Sequence, residues 1–89
     1  MQCFIIIKKI KILDVNHFDT KNVNNMSSMF YNYTSLNNVN VSNFDTTNVI
    51  NMCGMFYNCS SLNYLDVSNF VTSNVINRSA MFYNCKFFK

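Results

Sequence analysis

The chain repeats itself at one fixed offset of 26 residues. Residues 10–35 read IKILDVNHFDTKNVNNMSSMFYNYTS, residues 36–61 read LNNVNVSNFDTTNVINMCGMFYNCSS, and residues 62–87 read LNYLDVSNFVTSNVINRSAMFYNCKF. No insertion breaks the register. Ten of the 26 columns are identical in all three copies, those of Val15, Phe18, Thr20, Asn22, Val23, Asn25, Met29, Phe30, Tyr31 and Asn32. Residues 1–9 read as the remnant of a preceding copy, with Phe4 in the column of Phe30. Residues 88–89 read as the start of a following one, with Phe88 in the column of Leu62. A period of this size signals a solenoid, in which each coil buries its apolar face only against its neighbours. All 89 residues are therefore read as a single solenoid domain.

Composition narrows the class further. With 49% hydrophobic and 12% charged residues, the chain is too apolar to stay disordered. One glycine and no proline exclude collagen-like and flexible-linker readings. The net charge of +3 is weak, and Lys8, Lys9 and Lys11 read as a solvated edge, so no nucleic-acid partner is expected. The apolar run Phe4–Ile7 is too short for a membrane span or a signal-peptide core. Neither membrane insertion nor a signal peptide is expected from this chain.

Within each copy, Leu13/Val39/Leu65 and Val15/Val41/Val67 alternate with Asp14/Asn40/Asp66 and Asn16/Ser42/Ser68. That alternation predicts a short strand, stacked in parallel between copies. Asn43-Phe44-Asp45-Thr46 and its equivalents predict a turn with the phenylalanine inward. Val49, Met52 and Phe56 then form an i, i+3, i+7 stripe, which predicts about two helical turns over 49–57. Asn48 is placed to cap the start of that helix, and Asn32, Asn58 and Asn84 to end it in the left-handed conformation. The expected fold is an open-ended α/β solenoid of right-handed, leucine-rich-repeat-like coils, with an all-β parallel helix as the alternative. The pattern departs from a standard leucine-rich repeat at Phe18, Phe44 and Phe70, where Asn or Cys is usual. The unbroken columns Asn22/48/74 and Asn25/51/77 are the expected source of backbone hydrogen bonds in the turns.

The strings LDVSNF (65–70), FDTTNVINMCGMFYNCSSL (44–62) and MFYNC (81–85) resemble the repeat of BspA-like leucine-rich-repeat bacterial surface proteins. That family's pattern reads roughly LDLSNFDTSNVTNMSGMFYGCSSL, and the resemblance covers residues 10–87. The family commonly carries Gly in the columns of Asn32, Asn58 and Asn84. Departures are Tyr33 for Cys, Val71 for Asp and Arg78 for Met, which leave the middle copy closest to type. The resemblance implies a cell-surface or secreted protein with an adhesive role. The implied partner is a host or neighbouring-cell surface protein or a matrix component. It supplies no catalytic residues.

No catalytic, metal or cofactor site is expected. The four cysteines, Cys3, Cys53, Cys59 and Cys85, contain no C-x-x-C spacing. Cys59 and Cys85 share a column and are expected to be buried, reduced neighbours rather than a disulfide. His17 and Asp19 are replaced by Asn43/Asp45 and Asn69/Val71 in later copies, which reads as drift in a turn rather than acid–base chemistry. The candidate binding ladder is the outward strand row Asp14, Asn16, Asn40, Ser42, Asp66 and Ser68, joined by the column Tyr31, Tyr57 and Tyr83. Two functions follow: a non-enzymatic adhesion or protein-binding module, or a structural spacer or remnant of a longer array.

Overall fold

Alternating apolar and polar residues begin each copy, and in a computed structural model describing residues 9–86 they pair in parallel. Strand β1 (Ile12–Leu13) lies beside β2 (Asn38–Val39), with Ile12 opposite Asn38 and Leu13 opposite Val39. The Asn37 N–H extends the pairing to the Lys11 carbonyl at 2.8 Å. The strands stop after two residues for a local reason. Asp14 Oδ1 accepts the Asn16 N–H at 3.0 Å, and Asn40 Oδ1 accepts the Ser42 N–H at 2.9 Å. Each side chain takes over a backbone donor and bends the chain out of the ladder before Val15 or Val41. Asp66 makes the same turn with Ser68, at 2.9 Å, but the strand expected near Leu65 does not pair with β2.

Copies meet again through the bridges Asn25–Asn51 and Asn51–Asn77, both parallel. The one-copy register recurs in the aromatic columns. Phe30, Phe56 and Phe82 stack with centroids 5.1 and 5.6 Å apart, and Tyr31, Tyr57 and Tyr83 stack at 4.6 and 4.9 Å.

The segment expected to be helical is a run of tight turns, and no α-helix occurs among the described residues. Its N–H groups divide between two uses. Those of Met52, Gly54, Phe56 and Asn58 cross to the carbonyls of Asn77, Ser79, Met81 and Tyr83, at 2.7–2.9 Å. Those of Met55, Tyr57 and Cys59 close local turns on Met52, Gly54 and Phe56, at 3.1–3.3 Å. A helix would need every donor to turn inward along its own axis. Positive φ at Gly54 (61°) and Asn58 (61°) breaks the right-handed run twice within five residues. Each occupies the third residue of a four-residue turn, where a type II turn requires φ above zero. Ser28 (59°) and Ala80 (54°) share the column of Gly54, and Asn32 (63°) and Asn84 (56°) that of Asn58. The asparagines are left-handed as the sequence suggests, but at turn corners rather than helix ends.

The inward stripe survives the change of backbone. Val49, Met52, Met55 and Phe56 are fully buried, together with Leu36, Cys59 and Leu62. Side chains from successive four-residue turns recur every three or four positions, which is the spacing a helix would also give. The middle copy supplies most of the core. Phe44 points inward as expected, whereas Phe18, on the outer face of the first copy, is 42% exposed. The preceding-copy remnant (all but Lys9), Cys3, the Phe4–Ile7 run, Lys8 and the final Phe87–Lys89 lie outside the described residues.

Candidate functional site

The outward strand row is exposed throughout, at Asp14, Asn16, Asn40, Ser42, Asp66 and Ser68. Its members differ in what else they do. Asp14, Asn40 and Asp66 already accept backbone N–H groups. Hydrogen bonding from the Ser68 hydroxyl, and then from its N–H, draws the Asp66 carboxyl below its usual value of 3.8, as that from Thr47 does for Asp45. The side chains of Asn16 and Ser42 project without such a role. Because copy 3 stands off β2, a shallow groove of about 430 Å³ opens between them. It brings together Asn40, Ser42 and Asp66 with Val39, Val41 and Tyr64, whose ring is 67% exposed. Asp14, Asn16 and Ser68 do not line it.

The tyrosine column forms a surface stripe, with Tyr31 and Tyr83 exposed and Tyr57 half-buried between them. Stacking within 16° of parallel uses the ring faces on one another, so the stripe offers ring edges and a row of hydroxyls.

Two further ladders run beneath these surfaces: a threonine column that sequence reasoning did not single out, and the asparagine column that it read only as left-handed ends. Thr20 and Thr46 are buried, and each hydroxyl both accepts and donates across one interface. Thr46 Oγ1 accepts the Val71 N–H at 2.7 Å and donates to the Val71 carbonyl at 3.1 Å. Thr20 Oγ1 does the same with Asp45, at 2.8 and 3.3 Å. Asn84 Nδ2 donates to Asn58 Oδ1 at 2.7 Å, and Asn58 Nδ2 donates to Asn32 Oδ1 at 3.1 Å. Both columns are unbroken in the sequence, which is the signal that marks them. The expected asparagine columns also satisfy turn backbone. Asn48 and Asn74 donate to the carbonyls of Lys21 and Thr47, while Asn25, Asn51 and Asn77 accept N–H groups two residues on. Asn69 contributes too, donating to the carbonyls of Ser42 and Phe44 at 2.9 and 3.1 Å.

Cys59 and Cys85 are buried free thiols, and each donates to a phenylalanine carbonyl one copy back, Phe30 at 3.2 Å and Phe56 at 3.0 Å. Burial, with Cys85 nearby, pushes the Cys59 thiol up to about 12, and burial raises Cys85 as well. Such thiols are poor nucleophiles and poor metal ligands. His17 packs edge-on against Phe18 at 4.8 Å, while Asp19 accepts the Lys21 N–H at 3.2 Å. Each is engaged separately. Among the described residues, no group of three or more His, Cys, Asp or Glu could hold a metal ion. No helix long and apolar enough to cross a membrane occurs among them.

No curated protein and no solved structure matches the chain. A family model does, over residues 1–89, and with that match spanning its whole length the chain belongs to DUF285, described as Mycoplasma protein of unknown function.

Proposed function

We propose that this chain is a non-enzymatic binding module of a bacterial surface protein, a stretch of right-handed solenoid of the BspA-like kind. Its partner is a protein or matrix component on a host or neighbouring cell. The observation that carries this reading is the repetition of exposed side chains in register, copy over copy, along the strand row and the tyrosine edges. A surface of identical weak contacts gains avidity as copies are added. Membership of a Mycoplasma family is compatible with a surface location.

The spacer reading has its own support. Most of the asparagines in the repeat columns hold the copies to each other, and Asp14, Asn40 and Asp66 hold their own turns. The test is to display a multi-copy array on an inert cell and measure adhesion to host cells and matrix. Asn16→Ala and Ser42→Ala change the outward row without touching its turns. Loss of adhesion in that double variant supports the strand row as the contact surface. Adhesion that survives it, but not Tyr31→Ser with Tyr83→Ser, moves the contact to the tyrosine stripe. An unmodified array that adheres to nothing sinks the binding reading in favour of the spacer.

A further inference from the structure

Copies 2 and 3 do not close on each other along the strand row as copies 1 and 2 do. The Asn37 N–H reaches the Lys11 carbonyl, but the equivalent Asn63 N–H makes no such bond to Asn37. The groove of about 430 Å³ left between them has an apolar floor in the buried Val39 and Val41. Copy 2 adds the exposed Asn38 and Ser42, and copy 3 adds the exposed Tyr64 and Asp66. The exposure of Tyr64 and Asp66 does not come from their place in the stack. Asn38 and Asn40 hold the same two columns in the middle copy, and both are exposed there.

Tyr64 breaks its column, which carries Ile12 and Asn38 in the other copies. Its ring is 67% exposed and stacks on no other ring among the described residues, whereas Tyr31, Tyr57 and Tyr83 use their faces on one another. Asp66 is ionised at neutral pH and pairs with no cation among the described residues. Ser68 uses only part of the acceptor capacity of that carboxylate. No basic residue lines the groove, and Lys11 belongs to copy 1, on the far side of β2.

A carboxylate, an open aromatic face and neutral oxygens around one hollow complement a planar cation. A guanidinium can stack on a ring, donate in its own plane to a carboxylate, and still have N–H groups for the Ser42 hydroxyl and the Asn38 amide oxygen. The groove takes a side chain and not a strand. Copies 2 and 3 remain held together on either side of it, by Asn69 on the Ser42 carbonyl at 2.9 Å and by Phe56 on Phe82 at 5.6 Å. An inserted strand would need its neighbours about 9–10 Å apart.

We propose that this groove binds an arginine side chain of the partner protein, with the guanidinium stacked on Tyr64 and bonded to Asp66. The inference deepens the binding-module reading and takes the protein nature of the partner from it. It narrows that partner to one that presents an exposed arginine.

The test is an NMR titration of the isotope-labelled 89-residue chain with the blocked tripeptide acetyl-Gly-Arg-Gly-amide. Shifts at 38–42 and at Tyr64 and Asp66 are expected to saturate with a Kd on the order of 1–10 mM, the scale of a single weak contact. Asp66→Asn keeps the turn, as Asn40 keeps its own with Ser42, and should weaken binding at least about five-fold. Tyr64→Leu keeps an apolar side chain without the ring and should weaken it about three-fold. Unshifted signals elsewhere in each spectrum report that the variant keeps its fold. The citrulline tripeptide, of the same shape without the charge, should not bind in this range. No shift at those positions overturns the proposal, as does equal binding of the arginine and citrulline peptides, or affinity that both substitutions leave unchanged. Saturation of the same positions by the neutral disaccharide lactose, at lower concentration than the peptide, also overturns it and makes the groove a sugar site. This titration and the array assay fail separately. An array that adheres beside a tripeptide that does not bind sinks only the arginine assignment. A tripeptide that binds beside an array that adheres to nothing sinks the adhesive reading and leaves the groove its chemistry.

Discussion

At the residue scale, the left-handed corners set the local demands. Ser28 and Ala80 adopt the conformation that Gly54 adopts, although an L side chain is strained there by roughly 1–2 kcal/mol. Ala80→Gly and Ser28→Gly should each stabilise the fold by about 0.5–1 kcal/mol in urea melts. Gly54→Ala should cost about 1 kcal/mol. That cost is purely conformational, since an added Cβ would sit at ordinary contact distances of 3.6–3.8 Å from Tyr31, Tyr57 and Ser28. Asn58→Ala should be less stable than Asn58→Gly; equal melts would show that the corner does not need a left-handed residue. The thiols make a pH prediction. Cys59 titrates at about 12 in the fold against 9.0 ordinarily, so unfolding releases a proton that folding retains. Its contribution is constant below pH 9.0 and turns destabilising between 9.0 and about 12. Cys59→Ala should therefore flatten the alkaline fall in melting temperature relative to its own value at pH 7. Asp45 and Asp66 act in the opposite sense at low pH. Their folded values lie below 3.8, so their stabilisation is present above 3.8 and is lost as pH falls through those lower values. Asp66→Asn should soften that acid loss in melts taken from about pH 5 to pH 2.

At the scale of the element, the unit is neither strand nor helix but a turn whose spare donors point at the next copy. Its stability rests on cross-copy bonds, and the threonine ladder is the clearest case. Thr46→Val leaves the backbone of Val71 without its partner and should cost about 1–3 kcal/mol in chemical denaturation. Thr72→Val, at an exposed position of the same column, should change stability by less than about 0.5 kcal/mol. Equal costs at the two positions would mean that the hydroxyl acts through its own turn rather than across the interface.

At the scale of the whole molecule, each copy depends on its neighbours for burial. The middle copy is covered by a copy on either side. Phe56 is fully buried and stacked between Phe30 and Phe82. Phe56→Ala should cost about 3–5 kcal/mol, a large share of the roughly 5–15 kcal/mol that holds a small domain, and should lower the melting temperature steeply. Phe82→Ala, half-buried in the outer copy, should cost visibly less and leave a measurable transition. Circular dichroism melts of the two variants side by side decide whether stability is centred on the middle copy.

The sequence by itself determined the register, the inward columns and the left-handed asparagines. Each of these follows from repetition, because identical residues at a 26-residue offset must sit one above another. It also marked the outward strand row as exposed surface and the tyrosine column as an unbroken candidate ladder. What only the tertiary structure decided is where the backbone donors go. Val49, Met52 and Phe56 satisfy a helical period and a period of four-residue turns equally well. The choice rests on the carbonyls of Asn77, Ser79, Met81 and Tyr83, which a neighbouring copy brings within 2.9 Å and an isolated segment lacks. The short strands have the same cause. Asp14 and Asn40 look like the polar half of a strand, yet their side-chain oxygens capture the N–H two residues on and end it. In both cases the residue pattern names the face that is buried, and competition for hydrogen bonds selects the backbone that presents it.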